Sequence, residues 1–367
     1  MLNKYRELVK KSLSTLGLLG AMRYLRDYSR VKMFGILPFP VYYYFFPTLR
    51  CNLRCKMCFY RQSEYYKIKE IGSNEIKYIF KNLPQISHVN LIGGEPFIRK
   101  DIFEILDFLD GQGISIGLST NGTFINSNNI SKFKIKPYRC DISIDGQREL
   151  HNSIRGWQEA FDKTTEAVRL LTKIGVRVWI VSVIIKENLG ELKRIIPLAY
   201  DLGAEKIVFE FARKYSHAQI LESAKIIGIP EEYFTLRFSD EYQFGISIDR
   251  LREVLAELSG TGKKIGIPVG FFPDDLQENL EQYYYGTMRK NGTYYCTLLT
   301  NGLIDWNGNV TACYAINKSF GNLLESPMEK IWNGSEFRKF RKTLLKNNLL
   351  PICDSCLYKY NVNFLLH

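Results

Sequence analysis

Six short runs of apolar, β-branched or aromatic residues alternate with amphipathic segments between residues 42 and 212. The runs that predict strands are 43–48, 87–92, 114–119, 140–144, 176–185 and 206–211. The segments that predict helices are 73–83, 101–111, 126–134, 157–174 and 188–202. This order is typical of a parallel sheet whose strands are joined by right-handed helical crossovers. We therefore expect an α/β fold with functional residues at the carboxyl ends of the strands.

The composition is that of a globular protein large enough for one sizeable core and a smaller appended domain. The 367 residues are 46% hydrophobic and 24% charged, and the net charge of +12 favours anionic partners without selecting among them. No apolar run reaches the roughly 18 to 20 residues that a membrane span needs, and no signal-peptide core is recognisable. We therefore expect a cytoplasmic protein whose eight cysteines mainly bind a metal or a cluster.

The N-terminal segment is unusually basic. Residues 1–34 hold eight Lys or Arg against two acidic residues and so carry +6 of the net charge. Leu2, Tyr5 and Leu8 recur near helical spacing, with basic residues between them. One interpretation is an amphipathic helix that makes the protein peripheral to an anionic membrane. The other is a terminal helix that packs on the main domain and exposes a basic face.

The stretch RCNLRCKMCF, after the first predicted strand, places three cysteines on one loop. Cys51, Cys55 and Cys58 are separated by three and by two residues. A structural zinc site normally has four protein ligands, so zinc would need a distant fourth residue. An iron–sulfur cube held by three thiolates would leave one iron open to a small molecule. The missing fourth ligand therefore indicates a reactive site more than a structural one.

The second predicted strand is followed by Gly93-Gly94-Glu95-Pro96. The two glycines allow the backbone to approach a ligand closely, and their carbonyls, with the Glu95 carboxylate, suit an ammonium group. Alone, such a segment is most often a turn. Its position beside the cysteine loop makes it a candidate ligand-binding segment.

The three-cysteine loop and the GGEP segment together resemble the radical S-adenosylmethionine (radical SAM) superfamily over about residues 42–212. The resemblance implies a partial (β/α)6 TIM-like barrel, in agreement with the six predicted strands. It also implies a [4Fe–4S] cluster on Cys51, Cys55 and Cys58, whose open iron binds the amino and carboxylate groups of S-adenosylmethionine. One electron, from a donor such as ferredoxin or flavodoxin, then yields a 5′-deoxyadenosyl radical that abstracts a substrate hydrogen.

Further cofactor-binding residues follow from the resemblance alone. Ser119 and Asn121 lie at the end of the third strand, where the family contacts the cofactor. Ser143 matches a position that hydrogen-bonds the ribose, and Arg155 matches a basic residue near the cofactor's carboxylate. Alternatively, the serines are turn residues and Arg155 pairs with a carboxylate such as Asp145. The predicted set is Gly93, Gly94, Glu95, Pro96, Ser119, Asn121, Ser143 and Arg155, and no catalytic acid or base is predicted.

Four more cysteines lie in the C-terminal segment. Cys296 and Cys313 flank a hairpin predicted by Asn307-Gly308, and the pair Cys353 and Cys356 follows. A zinc ribbon is an alternative on ligand type alone. The segment resembles the SPASM or twitch auxiliary module, which implies a second [4Fe–4S] cluster on these four cysteines. Because such a cluster has no open iron, electron transfer is its favoured role.

Four regions are expected: a basic N-terminal extension (1–41), a radical SAM core (42–212), a connecting, substrate-contacting region (213–290) and the auxiliary module (291–367). The first hypothesis is a radical SAM enzyme that uses S-adenosylmethionine and two [4Fe–4S] clusters on a peptide or protein. The second is a membrane-proximal radical SAM enzyme for a lipid or glycolipid. The third, a noncatalytic iron–sulfur or zinc-binding protein, would not need a cofactor pocket. Nucleic acid is not an expected partner, because no RNA-binding module is recognisable.

Overall fold

The computed structural model describes residues 26–58, 69–212, 215–234, 246–290 and 292–361. Residues 1–25 of the basic N-terminal segment lie outside these ranges. The strands are β1 (Tyr42–Thr48), β2 (His88–Gly93), β3 (Ser115–Thr120), β4 (Arg139–Ser143), β5 (Val178–Ile184), β6 (Lys206–Phe211), β7 (Val269–Phe272), β8 (Tyr294–Cys296), β9 (Gly302–Ile304), β10 (Val310–Thr311) and β11 (Lys359–Asn361). The helices are α1 (26–34), α2 (Ser73–Lys81), α3 (Ile102–Gly111), α4 (Arg148–Arg155), α5 (Ala160–Lys173), α6 (Leu192–Asp201), α7 (His217–Ile227), α8 (Ile248–Ile265), α9 (Leu280–Tyr285), α10 (Met328–Trp332) and α11 (Ser335–Lys346). No helix in the described ranges is both long and apolar enough to cross a membrane.

Nine strands form one sheet in the order β10-β9-β1-β2-β3-β4-β5-β6-β7. Strands β1 to β7 run parallel, β9 joins β1 in parallel, and β10 is antiparallel to β9. The expected α/β class and partial barrel are confirmed, and β7, β9 and β10 add three strands to the six that were predicted for the sheet. The four sequence regions stay predictions, although 213–290 contributes β7 to the sheet rather than only connecting two domains.

Successive side chains of β1 point to opposite faces of the sheet. Tyr43 and Phe45 are fully buried against the helices, where Phe45 lies edge-to-face with Phe80 at 5.2 Å between ring centroids. Tyr44 and Phe46 belong to the opposite face, which is the interior of the barrel. The interior next to β1 is therefore lined by aromatic side chains.

One helix prediction was wrong in detail. Only a 3-10 turn, Ile130–Lys132, forms within the helix expected at 126–134. There the side chains of Asn126 and Asn129 accept hydrogen bonds from the backbone N–H groups of Asn128 and Asn126, each at 3.0 Å, and compete with helix formation.

Helix α8 passes through Gly260, runs to Ile265 and ends at Gly266, which has φ of +86°. A left-handed glycine is a common helix terminator. A side chain at Gly262 would overlap with Val269, so this glycine lets α8 lie directly against β7.

Candidate active site

The three-cysteine loop begins three residues after β1 and lies between the ends of β1, β3 and α4. Cys55 is buried, whereas Cys51 and Cys58 are half-buried. Burial, then Glu95 and the other two thiols, together raise the pKa of Cys51 to about 12. The three sulfurs are thus close enough to oppose one another's charge, which is the situation that binding to a cationic metal centre relieves.

The end of helix α4 holds this loop through its backbone. The N–H groups of Arg54 and Lys56 donate to the carbonyls of Arg155 and Ile154 at 3.0 and 2.9 Å. These carbonyls belong to the last turn of the helix, where the helix itself supplies no partners. Gly156 follows with φ of +71°, and a Cβ there would lie only 3.0 Å from the Arg54 carbonyl oxygen. The cysteine loop therefore completes the C-terminus of α4.

The GGEP segment lies directly against the residues that precede Cys51. The N–H of Gly94 donates to the Thr48 carbonyl at 3.0 Å, and the N–H of Glu95 donates to the Arg50 carbonyl at 2.8 Å. Side chains at Gly93 and Gly94 would overlap with those carbonyl oxygens. The glycines are therefore needed for a close approach of two backbones, and Pro96 follows in a buried 3-10 turn.

The Glu95 carboxylate makes its hydrogen bonds within the protein. This side chain is fully buried. Its oxygens accept hydrogen bonds from the Thr120 hydroxyl (2.7 Å), the Asn121 N–H (2.7 Å) and the Phe97 N–H (3.1 Å). Burial raises its pKa to about 7, although these three hydrogen bonds act in the opposite direction. A carboxylate enclosed in this way joins the ends of β2 and β3 and is not exposed to receive a ligand's ammonium group.

Asn121 connects β3 to the cysteine loop. Its Nδ2 donates to Asn52 Oδ1 at 3.0 Å and lies 3.8 Å from Cys51 Sγ. Ser119 and Ser143 are half-buried on the interior faces of β3 and β4. No described residue makes a hydrogen bond with either serine side chain. Their hydroxyls thus remain available at the carboxyl end of the sheet.

Arg155 is buried between the cysteine loop and a carboxylate. Its Nη1 lies 3.5 Å from Cys55 Sγ, and its Nη2 lies 2.5 Å from Oδ2 of the fully buried Asp145. Burial alone would lower the pKa of Arg155, but Asp145 and Cys55 raise it, so the guanidinium stays charged. The pairing with Asp145, which the sequence left as an alternative, is therefore present.

The four C-terminal cysteines come together at the short β8–β11 sheet. Cys296 ends β8 opposite Lys359, and the turn Pro351–Ser355 carries Cys353 and precedes Cys356. Burial, and then the thiols of the other three cysteines, raises the pKa of Cys296 well above its ordinary value. Cys313 and Cys356 also accept backbone N–H groups, at 3.3 and 3.4 Å.

Lys359 stabilises the Cys353–Cys356 turn through hydrogen bonds to its backbone. It is 7% exposed, and its ammonium donates to the carbonyls of Cys353, Asp354 and Cys356 at 2.8 to 3.0 Å. All three donors of the ammonium are thus used. The sequence did not predict this role, because a lysine three residues after a cysteine has no distinguishing local signal.

An aromatic cluster, formed by Tyr44, Phe46, Trp306, Tyr314 and Tyr358, lies between the two sets of cysteines. Tyr314 is its centre, at 5.6 Å from Tyr44, 5.6 Å from Phe46 and 5.1 Å from Tyr358. Leu49, two residues before Cys51, belongs to the same apolar group, and Cys296 packs against it. Both predicted cluster sites therefore adjoin one apolar wall of the barrel interior.

Two parts of the chain match known protein families. Residues 45–199 match the radical SAM superfamily, and residues 296–357 match SPASM, an iron–sulfur cluster-binding domain. The first match contains the three-cysteine loop and the GGEP segment, and the second contains all four C-terminal cysteines. The chain belongs to the radical SAM superfamily. It carries a C-terminal SPASM domain, and it is an enzyme, so the noncatalytic hypothesis was wrong.

Similar proteins include enzymes with different names. The AdoMet-dependent heme synthase of Oleidesulfovibrio alaskensis is 28% identical over 305 residues, which are 80% of this chain and 75% of that protein. The mycofactocin maturase MftC of Mycolicibacterium smegmatis is 30% identical over 162 residues, which are 43% of this chain and 41% of MftC. The crystal structure of Streptococcus suis SuiB bound to precursor peptide SuiA matches 90% of this chain and 74% of SuiB, with a TM-score of 0.62 and 15% identity. At that identity, the match establishes a shared fold.

Radical SAM enzymes with this domain bind S-adenosylmethionine and [4Fe–4S] clusters, and the residues present fit these groups. Both cysteine sets offer sulfur donors only, and the Arg155 Nε is buried without a hydrogen-bond partner among the described residues. No three His, Cys, Asp or Glu side chains in the described ranges are placed to share a single metal ion. A cubane binds each cysteine to a different iron and so separates its ligands more widely than one ion does. The ligand role of each residue stays a prediction.

Two residues outside the motifs anchor the end of β1 in this radical SAM enzyme. Glu70 accepts both branches of the Arg50 guanidinium, at 3.0 and 2.7 Å, and also the hydroxyl of Thr48. Arg99 donates to the carbonyls of Pro47 and Ile71 at 2.9 and 3.0 Å. These contacts fix the direction in which the chain enters the cysteine loop. They join residues that are far apart in sequence, so no local pattern could have revealed them.

Proposed function

We propose that this radical SAM enzyme oxidises a peptide at the carboxyl end of its barrel. When bound, the cofactors supply a 5′-deoxyadenosyl radical that takes a hydrogen atom from the substrate, and a SPASM-domain cluster that accepts the next electron. Each turnover would remove one hydrogen atom, one electron and one proton from the substrate, with methionine and 5′-deoxyadenosine as co-products. A ferredoxin or flavodoxin would provide the initiating electron.

The observation that carries this proposal is the aromatic cluster shared by the two cysteine sets. Leu49 and Cys296 pack against the same side chains, so the SPASM cysteines adjoin the wall of the barrel that leads to Cys51. An apolar wall excludes water from a reactive intermediate. It also keeps an electron acceptor near the place where the substrate radical forms. Arg155, Asn121 and the backbone of Gly93 and Gly94 would then position the first cluster and its ligand.

Two findings support a peptide substrate. SuiB, which shares this fold, binds the precursor peptide SuiA. In addition, β10 and β7 end the described sheet without pairing with each other, so the barrel is open along one side. An open barrel can admit a substrate that extends beyond its mouth.

A carboxylate-bearing porphyrin is a second candidate, because the similarity to an AdoMet-dependent heme synthase covers more of the chain than the similarity to MftC does. The AdoMet-dependent heme synthase aligns with 80% of this chain, whereas MftC aligns with 43%. Loss of a hydrogen atom and an electron from a propionate would release carbon dioxide. This reaction uses the same two cofactor sites and differs only in the substrate. A lipid or glycolipid substrate and a cytoplasmic location stay predictions from the sequence.

Anaerobic reconstitution tests the shared chemistry first and the substrate second. With two clusters the protein should contain about eight irons per chain, and dithionite with S-adenosylmethionine should yield 5′-deoxyadenosine. Candidate peptides encoded beside the gene, and iron coproporphyrin III, are then supplied in deuterated form. Deuterium in the 5′-deoxyadenosine from a peptide alone supports the first proposal. Carbon dioxide release from the porphyrin, with no transfer from any peptide, would replace it with the second.

Cysteine variants test the ligand assignments separately. Replacing Cys51, Cys55 and Cys58 by Ala should remove about four irons and abolish 5′-deoxyadenosine formation. Replacing Cys353 and Cys356 by Ala should remove the other four and leave cleavage of S-adenosylmethionine measurable. Zinc in place of iron at the second site would contradict an electron-accepting role, whatever the substrate.

A further inference from the structure

One face of helix α11 is basic, and it lies next to the end of α1. Arg338, Lys339, Lys342 and Lys346 lie at spacings of one, three and four residues, so they project from one side of the helix. All four are exposed, and none forms an ion pair with a described residue. The opposite face of α11 is buried in the core. This surface is therefore positively charged, and none of its four basic residues belongs to the candidate active site.

A groove of about 400 Å³ joins this basic face to an apolar edge. Its lining includes the four cations of α11 and the ring of Phe34, the last residue of α1. Phe34 is 56% exposed, and the neighbouring Met33 is 59% exposed. Adjacent large apolar side chains that are exposed and bordered by polar residues are typical of a surface that contacts a partner or a membrane.

The end of α1 is held in place on α10 and α11. Gly35 has φ of +72°, and a Cβ there would lie 2.9 Å from the Arg338 carbonyl oxygen, so the two backbones touch. Asn333 exchanges hydrogen bonds with both backbone groups of Leu37, at 2.9 and 3.1 Å. Trp332 Nε1 donates to the Pro38 carbonyl at 2.8 Å. The exposure of Met33 and Phe34 is therefore built into the packing of the chain.

We propose that this α1–α11 face, formed by Met33, Phe34 and the four cations of α11, docks the enzyme on an anionic lipid membrane. Cations attract acidic headgroups, and adjacent apolar side chains enter the interface between headgroups and acyl chains. The only acidic residue of α11, Glu336, lies 3.8 Å from Lys318 and does not line the groove. A nucleic acid would satisfy the cations, but it would leave the side chain of Met33 uncovered. The observations therefore favour a membrane.

Vesicle flotation of the full-length, reconstituted enzyme tests this surface. Vesicles of equal parts phosphatidylcholine and phosphatidylglycerol should carry the enzyme, and pure phosphatidylcholine vesicles should not. Arg338→Glu/Lys342→Glu should weaken binding at least about tenfold, since each basic residue near an anionic surface contributes measurably. The matched control is Arg169→Glu/Lys173→Glu on α5, which reverses one exposed Arg and one exposed Lys at the same spacing. It should bind as the parent does.

The apolar edge and the alternative partner have separate readouts. Phe34→Ala should weaken flotation without changing the net charge, whereas Tyr78→Ala, an exposed aromatic on α2, should not. Equal flotation of the parent and the Arg338→Glu/Lys342→Glu variant would overturn the proposal, because another segment would then bind the vesicles. So would failure of the parent to float, or tighter binding to an RNA oligonucleotide that the same variant loses. Cleavage of S-adenosylmethionine by each variant confirms that it is folded, independently of its substrate.

Discussion

Arg155 Nη1 lies 3.5 Å from Cys55 Sγ, while Nη2 of the same guanidinium is paired with Asp145. Asp145 in turn accepts a hydrogen bond from the N–H of Val183 at 2.9 Å. The position of Asp145 is therefore fixed, and this restricts rotation of the Arg155 guanidinium. A charged donor directed at a cluster sulfur stabilises the more negative, reduced state of that cluster. Arg155 is thus placed to influence the potential of a cluster bound by Cys51, Cys55 and Cys58, and its contact with the cofactor's carboxylate stays a prediction.

Arg155→Lys should shift the midpoint potential of the first cluster to more negative values. Lysine keeps the positive charge beside Asp145 but cannot present two parallel donors. Loss of the donor to sulfur should cost on the order of 60 mV, a tenfold change in the one-electron equilibrium. Redox titration followed by electron paramagnetic resonance measures it. Arg148→Lys, on the exposed side of the same helix, is the control. An unchanged potential with weaker S-adenosylmethionine binding would assign Arg155 to the cofactor alone.

Glu95→Gln should remove a pH dependence of stability. Burial raises the folded-state pKa of Glu95 to about 7 from an ordinary value of 4.5, so the folded protein holds this proton more tightly than the unfolded chain. The stability that this proton provides is complete below about pH 4.5 and is lost as the pH rises through 7, a change of about 3 kcal/mol. The unfolding free energy of the parent should therefore fall by about that amount relative to Glu95→Gln between about pH 5 and about pH 8.

Chemical denaturation followed by circular dichroism measures the difference. Glu104→Gln, at an exposed position, should show no such trend. If the difference between parent and Glu95→Gln stayed constant over this range, the carboxylate would have to be ionised in the folded protein throughout.

Gly94→Ala should separate the GGEP segment from the end of β1. The new methyl group would overlap with the Arg50 and Leu49 carbonyl oxygens, so the hydrogen bonds from Gly94 and Glu95 must lengthen. We expect a loss of about 1–3 kcal/mol in stability and slower 5′-deoxyadenosine formation. Gly111→Ala has no atom within 4 Å of the new methyl group and should be neutral or stabilising. Cleavage by Gly94→Ala at the parental rate would show that the segment tolerates displacement.

Lys359→Met should selectively remove the second cluster. Methionine fills the space of the lysine stem but leaves three carbonyls of the Cys353–Cys356 turn, one buried and two partly buried, without their donor. Each such carbonyl costs about 1–3 kcal/mol, enough to release the turn. The iron content should fall from about eight to about four per chain, with S-adenosylmethionine cleavage retained. Lys290→Met, at an exposed position, is the control. A full iron complement in Lys359→Met would mean that the cluster itself organises the turn.

The parts of this molecule that are local in sequence were predictable. Cysteine spacing, the GGEP segment and the strand pattern are properties of short segments, and six strands were predicted within two residues at each end. Helix α4 was missed because RELHNSIR is mostly polar and shows no clear apolar stripe. It buries His151 and Arg155 instead, and the partners of these side chains, Asp145 and Cys55, lie on other segments of the chain.

The features that the sequence did not predict depend on contacts between residues that are far apart in the chain. The burial of Glu95 follows from the approach of β3, and the role of Lys359 follows from the pairing of β11 with β8. Glu95 was expected to face a ligand because its motif resembles a binding loop. In the structure, three hydrogen bonds within the protein offset the desolvation of the carboxylate only in part, since its pKa is still raised to about 7.

Strand β1 lies between β2 and β9, and β9 is roughly 260 residues further along the chain. A side chain at position 302 would overlap with the ring of Tyr43, so the close pairing of β1 with β9 requires Gly302. During translation at roughly 5 to 20 residues per second, β1 would wait tens of seconds before its second neighbour emerged. Until then it presents a hydrophobic strand with an unpaired edge, which favours aggregation. Truncation before β9 would make that exposure permanent, so the last fifth of the chain completes the sheet that carries the first cysteine loop.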